Sequence, residues 1–270
     1  FIGIIQFLVK LINNDIYIMK ITDPSMLHFN ESLKLMGFGD VSNISKSFLD
    51  YHNLILEWNS KINLISSNTV DSILERHFLD SMSVHLVDSL LNFDLMEDAI
   101  DVLDLGTGAG LPGVPLKISH PNWKLTLLDS TSKKIDFLQE LCSKLTLKHV
   151  NFISDRAENT AHLQAYREKF DLVISRAVAD LKVLVELMLP FCKMGGAVVA
   201  MKGGKAEQEI KMALNAINVL GGGDVQLVQT SDYQTFFKGS LVVIRKIAVT
   251  PENYPRRVGI PHKRPITDLS

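Results

Sequence analysis

From about residue 99 to residue 250 short apolar runs alternate with amphipathic stretches, and that alternation leaves few folds open. Val102–Leu105, Leu125–Leu128, Val150–Ile153, Leu172–Ser175 and Ala197–Met201 read as buried strands. Between them Leu111–Ser119, Lys133–Leu145, Leu181–Phe191 and Ala206–Val219 carry helical periodicity. Strands alternating with helices predict βαβ units and a parallel sheet. The last part breaks the rule: Val225–Thr230 and Leu241–Ile247 have no helix between them and should pair antiparallel across Asp232–Gly239. With 270 residues, 46 % of them hydrophobic, the chain can bury a core of that size.

Before about residue 98 the pattern is helical. Ile44, Phe48, Tyr51, Ile55, Trp58 and Ile62 recur at spacings of three and four along one helix face, with Ser42 or Asn43 able to cap its start. A second helical stretch covers Val70–Leu91. Residues 41–98 are therefore expected to form a helical N-terminal region, 99–250 the α/β domain, and 251–270 a basic C-terminal tail. Residues 1–40 are expected to be an extension outside the fold, with Met19 able to serve as a start. The run Phe1–Ile12 is apolar, but Gln6 and Lys10 interrupt it, and it is too short to span a bilayer. It lacks the basic leading region and small-residue cleavage site of a signal peptide. Cys142 and Cys192 stand far apart, which argues against a disulfide framework or a cysteine metal site and fits a reducing cytoplasm. No metal and no membrane partner are expected. A net charge of -2 does not announce a nucleic-acid binder, yet it leaves room for a local basic patch.

The turn Val102-Leu-Asp-Leu-Gly-Thr-Gly-Ala-Gly-Leu-Pro-Gly113 follows a strand and opens a helix, the context in which a glycine-rich turn cradles a cofactor. Gly106 and Gly108 permit close approach of a ligand to the main chain, and helix N-terminal NH groups can bond its oxygens. Asp129 ends the next strand, placed to accept bonds from ribose hydroxyls. The spacing Asp104-x-Gly106-x-Gly108-x-Gly110 resembles the first motif of the class I S-adenosylmethionine methyltransferases, whose Rossmann-like, mostly parallel sheet also ends in an antiparallel hairpin. An acid two positions before the first glycine suits a cofactor bearing an ammonium, acting through water or by bracing the loop. A dinucleotide would bring a pyrophosphate there instead. A glycine turn serving only tight packing is the plainer alternative.

The segment after the fourth strand narrows the acceptor. Ser175-Arg-Ala-Val178 is not the Asn/Asp-Pro-Pro-aromatic motif of adenine-N6 enzymes. Neither cysteine lies in a loop suited to the nucleophile of a C5-pyrimidine enzyme; both read as buried thiols. Further segments resemble the bacterial GidB/RsmG family, which methylates N7 of a guanosine in small-subunit (16S) ribosomal RNA. They are Leu56-Glu-Trp-Asn-Ser-Lys-Ile-Asn-Leu64, Arg76-His-Phe-Leu-Asp-Ser81, Gly106-Thr-Gly-Ala-Gly-Leu-Pro-Gly-Val-Pro115, Leu127-Leu-Asp-Ser130 with Lys133 and Lys134, Ile174-Ser-Arg-Ala177, Met201-Lys-Gly203, and Tyr254-Pro-Arg-Arg257 with Gly259, Pro261 and Lys263. The likeness runs from about residue 45 to 266. It implies S-adenosylmethionine as cofactor, with contacts at Gly106, Leu111, Ala157, Glu158 and Arg176. Leu111 would be an apolar wall. Arg176 would bond the cofactor carboxylate or an RNA phosphate, or else cap the sheet in a salt bridge. Val258 and His262 depart from the family's tail, where those positions are often proline and small. His77 reads as a structural histidine bonded near Asp80.

The expected RNA footprint is the basic tail, where Lys238, Arg245, Lys246, Arg256, Arg257, Lys263 and Arg264 face only Glu252 and Asp268. Tyr254 can stack on a base there. Lys202 and Lys205 extend the patch from the end of the fifth strand. Because guanine N7 carries a lone pair and no proton, no general base is expected, and none is assigned. Two other readings stay open: an NAD-dependent oxidoreductase, on the glycine loop alone, and a non-enzymatic RNA-binding ribosome assembly factor that keeps a cofactor pocket.

Overall fold

The structure, a computed structural model, describes residues 19–267 apart from residues 40, 67–68, 70–71, 97, 177, 234–236 and 238. The expectations for Phe1–Ile18, Lys238 and Asp268 lie outside the described residues. Seven strands form one sheet: β1 (Asp101–Leu105), β2 (Lys124–Asp129), β3 (Val150–Ser154), β4 (Phe170–Arg176), β5 (Cys192–Lys202), β6 (Gly222–Gln229) and β7 (Ser240–Lys246). Their order is β3-β2-β1-β4-β5-β7-β6. β1 to β5 run parallel, while β7 lies antiparallel between β5 and β6. The expected terminal hairpin is present, with β7 inserted beside β5.

Both faces of the sheet are covered, and this is why its strands read as continuous apolar runs. Alternate residues feed two cores. Val102, Leu125, Leu127, Leu172, Ile174, Val199 and Val243 enter one. Leu103, Leu105, Leu128, Val173, Val198, Ala200 and Val242 enter the other. The first core is closed by α1 (Pro24–Leu35), α2 (Ser42–Asn59), a helical stretch over residues 74–90 called α3, α4 (Gly113–Ser119) and α5 (Ser132–Lys144). The second is closed by α6 (Ala157–Thr160), α7 (Leu181–Met188) and α8 (Ala206–Val219). A short α9 (Ile260–Lys263) lies in the C-terminal segment. The carboxyl ends of β1 to β5 thus share one edge, where open α/β sheets bind ligands.

The N-terminal helices share the first core with the sheet. α1 lies in the stretch expected to be an extension outside the fold, but Met26, Phe29 and Leu33 on it are fully buried. Each such side chain contributes on the order of 2 kcal/mol by burial, so residues 24–35 belong to the fold. Phe29 packs edge-on to Phe48 of α2, with ring centroids 4.9 Å apart. On α2, Phe48, Tyr51 and Ile55 are buried as the stripe required, while Ile44 and Trp58 pack partly buried beside them. Val41 holds the cap position rather than Ser42 or Asn43. The helix stops at Asn59, whose Oδ1 accepts the N–H groups of Leu64 and Ile65 at 2.9 and 3.1 Å. α3 begins as π-helix over Leu74–Leu79, passes through one α turn at Asp80–Met82 and tightens to 3-10 geometry over Ser83–Leu90. Such π segments are rare and occur frequently at functional sites.

Candidate functional site

The glycine turn leaves β1 at Leu105 and is held from below by two acids. Asp104 is fully buried. Its Oδ2 accepts the Thr107 hydroxyl at 2.6 Å and the Gly113 N–H at 2.9 Å, so it braces both ends of the loop. Burial pushes its carboxyl up to about 7, against the pull of those two hydrogen bonds. Among the described residues its Oδ1 has no hydrogen-bond partner. Asp129 accepts the N–H groups of Gly108 at 3.0 Å and Thr131 at 2.9 Å. Lys134 Nζ lies 3.7 Å from the same carboxylate. Gly106 and Gly108 have φ of 71° and 58°, a region that favours glycine. A Cβ on Gly106 would meet Val178 Cγ2 at 2.5 Å. Tyr51 of α2 caps the loop from the other side, its hydroxyl donating to the Ala109 carbonyl at 2.5 Å. Burial holds that phenol protonated well above its ordinary range.

Two cavities open along the carboxyl edge. The smaller, of about 400 Å³, lies over β1, β2 and β3 and is lined by Gly106, Asp129, Ala157, Glu158, Val178 and the tail residues Val258, Gly259 and His262. Glu158 is buried rather than a solvated loop charge, and its Oε1 accepts the Gly259 N–H at 3.0 Å. The larger, of about 950 Å³, lies over β4, β5 and β7 against α3, with Arg76, His77, Asp80, Arg176, Val178 and Lys202 in its lining. Val178 lines both.

Arg176 ties the end of β4 to α3. It donates to the carbonyls of Arg76 at 2.8 Å and His77 at 3.3 Å, bonds His77 Nδ1 at 2.8 Å, and lies 3.5 Å from Asp80. His77 Nε2 pairs with Thr69 Oγ1 at 3.0 Å. Burial, then the charges of Arg176 and Arg76, push the His77 ring down to about 4, so it is neutral. Its partners are thus Arg176 and Thr69 rather than Asp80. Burial raises the Asp80 carboxyl, and Arg176 opposes that shift.

Of the expected cofactor residues, Gly106, Asp129, Ala157 and Glu158 come together in the smaller cavity, and Gly108 sits in the loop beneath it. Leu111, expected as an apolar wall, is buried in the first core and lines neither cavity. Arg176 belongs to the larger cavity. The expected RNA footprint breaks up. Pairing of Ala197 with Arg245 puts Arg245 at the opposite edge of the sheet, where it donates to Asn92 Oδ1 and the Leu90 carbonyl. Lys246 is buried, bonded to Thr250 and to the carbonyls of Leu189 and Leu220, and 3.3 Å from Glu168. Arg256 is committed to Glu186: its backbone N–H and Nε donate to Oε1 at 2.8 and 2.9 Å, and a terminal nitrogen donates to Oε2 at 2.6 Å. Lys202 bonds the Ala179 carbonyl at 2.5 Å and Glu209 at 2.7 Å. Arg257 and Lys263 are exposed. Cys142 and Cys192 are buried thiols, pushed up to about 12 by burial.

Sequence reasoning misses Tyr51, Val178 and the tail wall as parts of the site. Tyr51 carries no signal distinguishing it from its apolar stripe. Val258 and His262 carry one, since they depart from the family's tail, but the departures fall on the smaller cavity rather than on an RNA surface. Among the described residues no cluster of three His, Cys, Asp or Glu side chains could hold a metal ion, and no helix is long and apolar enough to cross a membrane.

A mostly parallel sheet with β7 inserted antiparallel and a glycine turn after β1 define the class I methyltransferase fold. A solved Klebsiella pneumoniae chain described as a putative O-methyltransferase shares this fold, with a TM-score of 0.50 and 13 % identity, over 82 % of this chain and 97 % of that one. A family model described as GidB, rRNA small subunit methyltransferase G, matches residues 44–236, and the chain belongs to that family. A ribosomal RNA small subunit methyltransferase G from Alkaliphilus metalliredigens is 40 % identical over 242 residues, covering 90 % of this chain and 99 % of the relative. One from Clostridium kluyveri is 42 % identical over 219 residues, covering 81 % and 89 %.

Proposed function

We propose that this methyltransferase transfers the methyl group of S-adenosylmethionine to N7 of a guanosine in small-subunit ribosomal RNA, acting in the cytoplasm on the RNA or the small subunit. The observation that carries the reading is the meeting of the two cavities at Val178: a donor in the smaller one adjoins an acceptor in the larger.

The smaller cavity fits the donor. Gly106 leaves open the space that a Cβ would fill against Val178, and Asp129 and Glu158 offer carboxylate acceptors for ribose and adenine donors. The orphaned Oδ1 of Asp104 beneath the loop favours a cationic ligand group. When bound, the donor supplies an electrophilic sulfonium methyl. N7 carries a lone pair and no proton, so no side chain would have to remove one. His77 could not do so readily, since it is neutral with both ring nitrogens engaged. The chain's contribution is then positioning and exclusion of water, worth up to roughly 7–11 kcal/mol in favourable cases. Arg176 holds α3 against β4 and so fixes the larger cavity. Its ion pair with Asp80, and that of Lys202 with Glu209, can exchange for RNA phosphates.

The test is incubation with isotopically labelled S-adenosylmethionine and either small ribosomal subunits or their naked RNA, followed by nucleoside mass spectrometry. Labelled 7-methylguanosine is expected. Label in another nucleoside removes the N7 assignment, and no label in RNA despite donor binding overturns the reading.

A further inference from the structure

We infer that residues 254–264 form a fixed wall of the donor pocket, with Val258 as the apolar face that meets the adenine ring; this rests on the reading that the pocket takes S-adenosylmethionine.

The sheet order sets the ligand's direction. The methyl group must face the larger cavity over β4 and β5. The adenosine half therefore lies at the other end, over β2 and β3, where Asp129, Ala157 and Glu158 stand. At that end the strand ends and the starts of α5 and α6 line the pocket, and the tail adds Val258, Gly259 and His262 to the lining.

The tail is anchored without help from a ligand. Arg256 makes three hydrogen bonds to Glu186, whose side chain is 0 % exposed. Arg167 donates to the carbonyls of Thr250, Pro251 and Tyr254, and His162 bonds the carbonyl of Pro255. Pro261 is buried, and Tyr254 packs against the second core. Gly259, at φ 78°, turns its N–H onto Glu158 Oε1, which leaves Oε2 as an acceptor for an adenosine donor. Amid this fixed framework Val258 is 46 % exposed and lies in the cavity lining with Leu128, Leu187 and Val178. A half-exposed apolar side chain in a preformed concave site is what the flat apolar face of a base would cover.

Two measurements on the full chain test this. In titration calorimetry with S-adenosylhomocysteine, Val258→Asp should raise the dissociation constant at least tenfold, because it sets a carboxylate against the base. Binding to a small-subunit RNA fragment should keep its affinity and salt slope. In wild-type protein, amide hydrogen exchange over residues 255–263 should slow when S-adenosylhomocysteine is added. An unchanged dissociation constant in Val258→Asp, or unchanged exchange in the segment while the β1 loop is protected, overturns the inference and leaves the donor reading intact. Wild-type protein that does not bind S-adenosylhomocysteine overturns both.

Discussion

The two cavities that meet at Val178 are built on different principles. On the side proposed for the donor the acids hold backbone N–H groups. Asp104 carries Gly113, Asp129 carries Gly108 and Thr131, and Glu158 carries Gly259. Backbone N–H groups cannot rotate away, so this cradle has one shape. On the acceptor side the charges are cations that, besides bonds to the backbone carbonyls of Arg76, His77 and Ala179, each meet a side-chain carboxylate, Arg176 that of Asp80 and Lys202 that of Glu209. A phosphate can replace the carboxylate in such a pair while the carbonyl bonds keep the cation in place. A small ligand of constant structure suits the first design, and a polyanion whose backbone must be seated suits the second. The comparison implies that lesions on the donor side cost stability or donor affinity, while lesions on the acceptor side cost RNA handling.

The largest effect should come from Arg256→Ala, which leaves Glu186 buried without its partner; breaking such a pair costs about 3–5 kcal/mol. Urea unfolding should show that loss, whereas Lys202→Ala should lose no more than about 1 kcal/mol, since Glu209 also accepts the Leu181 N–H. Equal losses would break the comparison. Next is Gly106→Ala. A β-carbon at positive φ costs roughly 1–2 kcal/mol, and here it also strikes Val178. S-adenosylhomocysteine affinity should fall about 30-fold, on the order of 2 kcal/mol, with RNA affinity unchanged. Arg176→Ala should reverse that pattern. Losing hydrogen bonds from a charged group costs about 1.5–3 kcal/mol, so turnover on RNA should drop at least about tenfold while S-adenosylhomocysteine affinity stays within about twofold. A matching fall in donor affinity would move Arg176 into the donor pocket.

The donor cradle is legible in the sequence because its parts are local: one turn after β1, and acids at the ends of β1 and β2. The strands are legible because burial on both faces requires apolar runs. The opposite wall is not, because Val258 and Gly259 reach the pocket from far along the chain. Charge is the poorest guide. Arg245, Lys246 and Arg256 look like Arg257 and Lys263 in a string of letters, yet three are bonded inside the fold and two are exposed. A partial signal does exist: Glu186 is the single acid in the apolar helix Leu181–Met188, and an acid there needs a cation. Likewise Met26, Phe29 and Leu33 keep helical spacing within a stretch that otherwise reads as an extension.

The donor side should also answer to pH. With its carboxyl pushed up to about 7, Asp104 is partly protonated in the free protein at neutral pH. Its folded value lies above the unfolded one. Its contribution to stability is therefore fully present below the unfolded value and is lost as pH rises through about 7. A cationic ligand group favours the ionised form, so S-adenosylhomocysteine affinity should rise about tenfold between about pH 6 and pH 8. Asp104→Asn should bind more weakly and without that slope. A wild-type affinity flat over this range would show that Asp104 braces the loop without sensing the ligand.

The smallest effect separates the two faces of the tail. Arg257 and Lys263 are exposed on the same segment whose neighbours Val258 and Gly259 line the smaller cavity. If they hold RNA phosphates, Arg257→Ala with Lys263→Ala should lower the salt slope of RNA binding by about 1 for each phosphate released, with S-adenosylhomocysteine affinity unchanged. Arg245→Ala should leave that slope alone, since Arg245 lies at the other edge of the sheet, bonded to Asn92 and Leu90. A double variant with the wild-type slope would confine the tail to the donor side. The acceptor's phosphates would then have to be held by the larger cavity, where Arg176 and Lys202 must exchange their carboxylate partners to hold them.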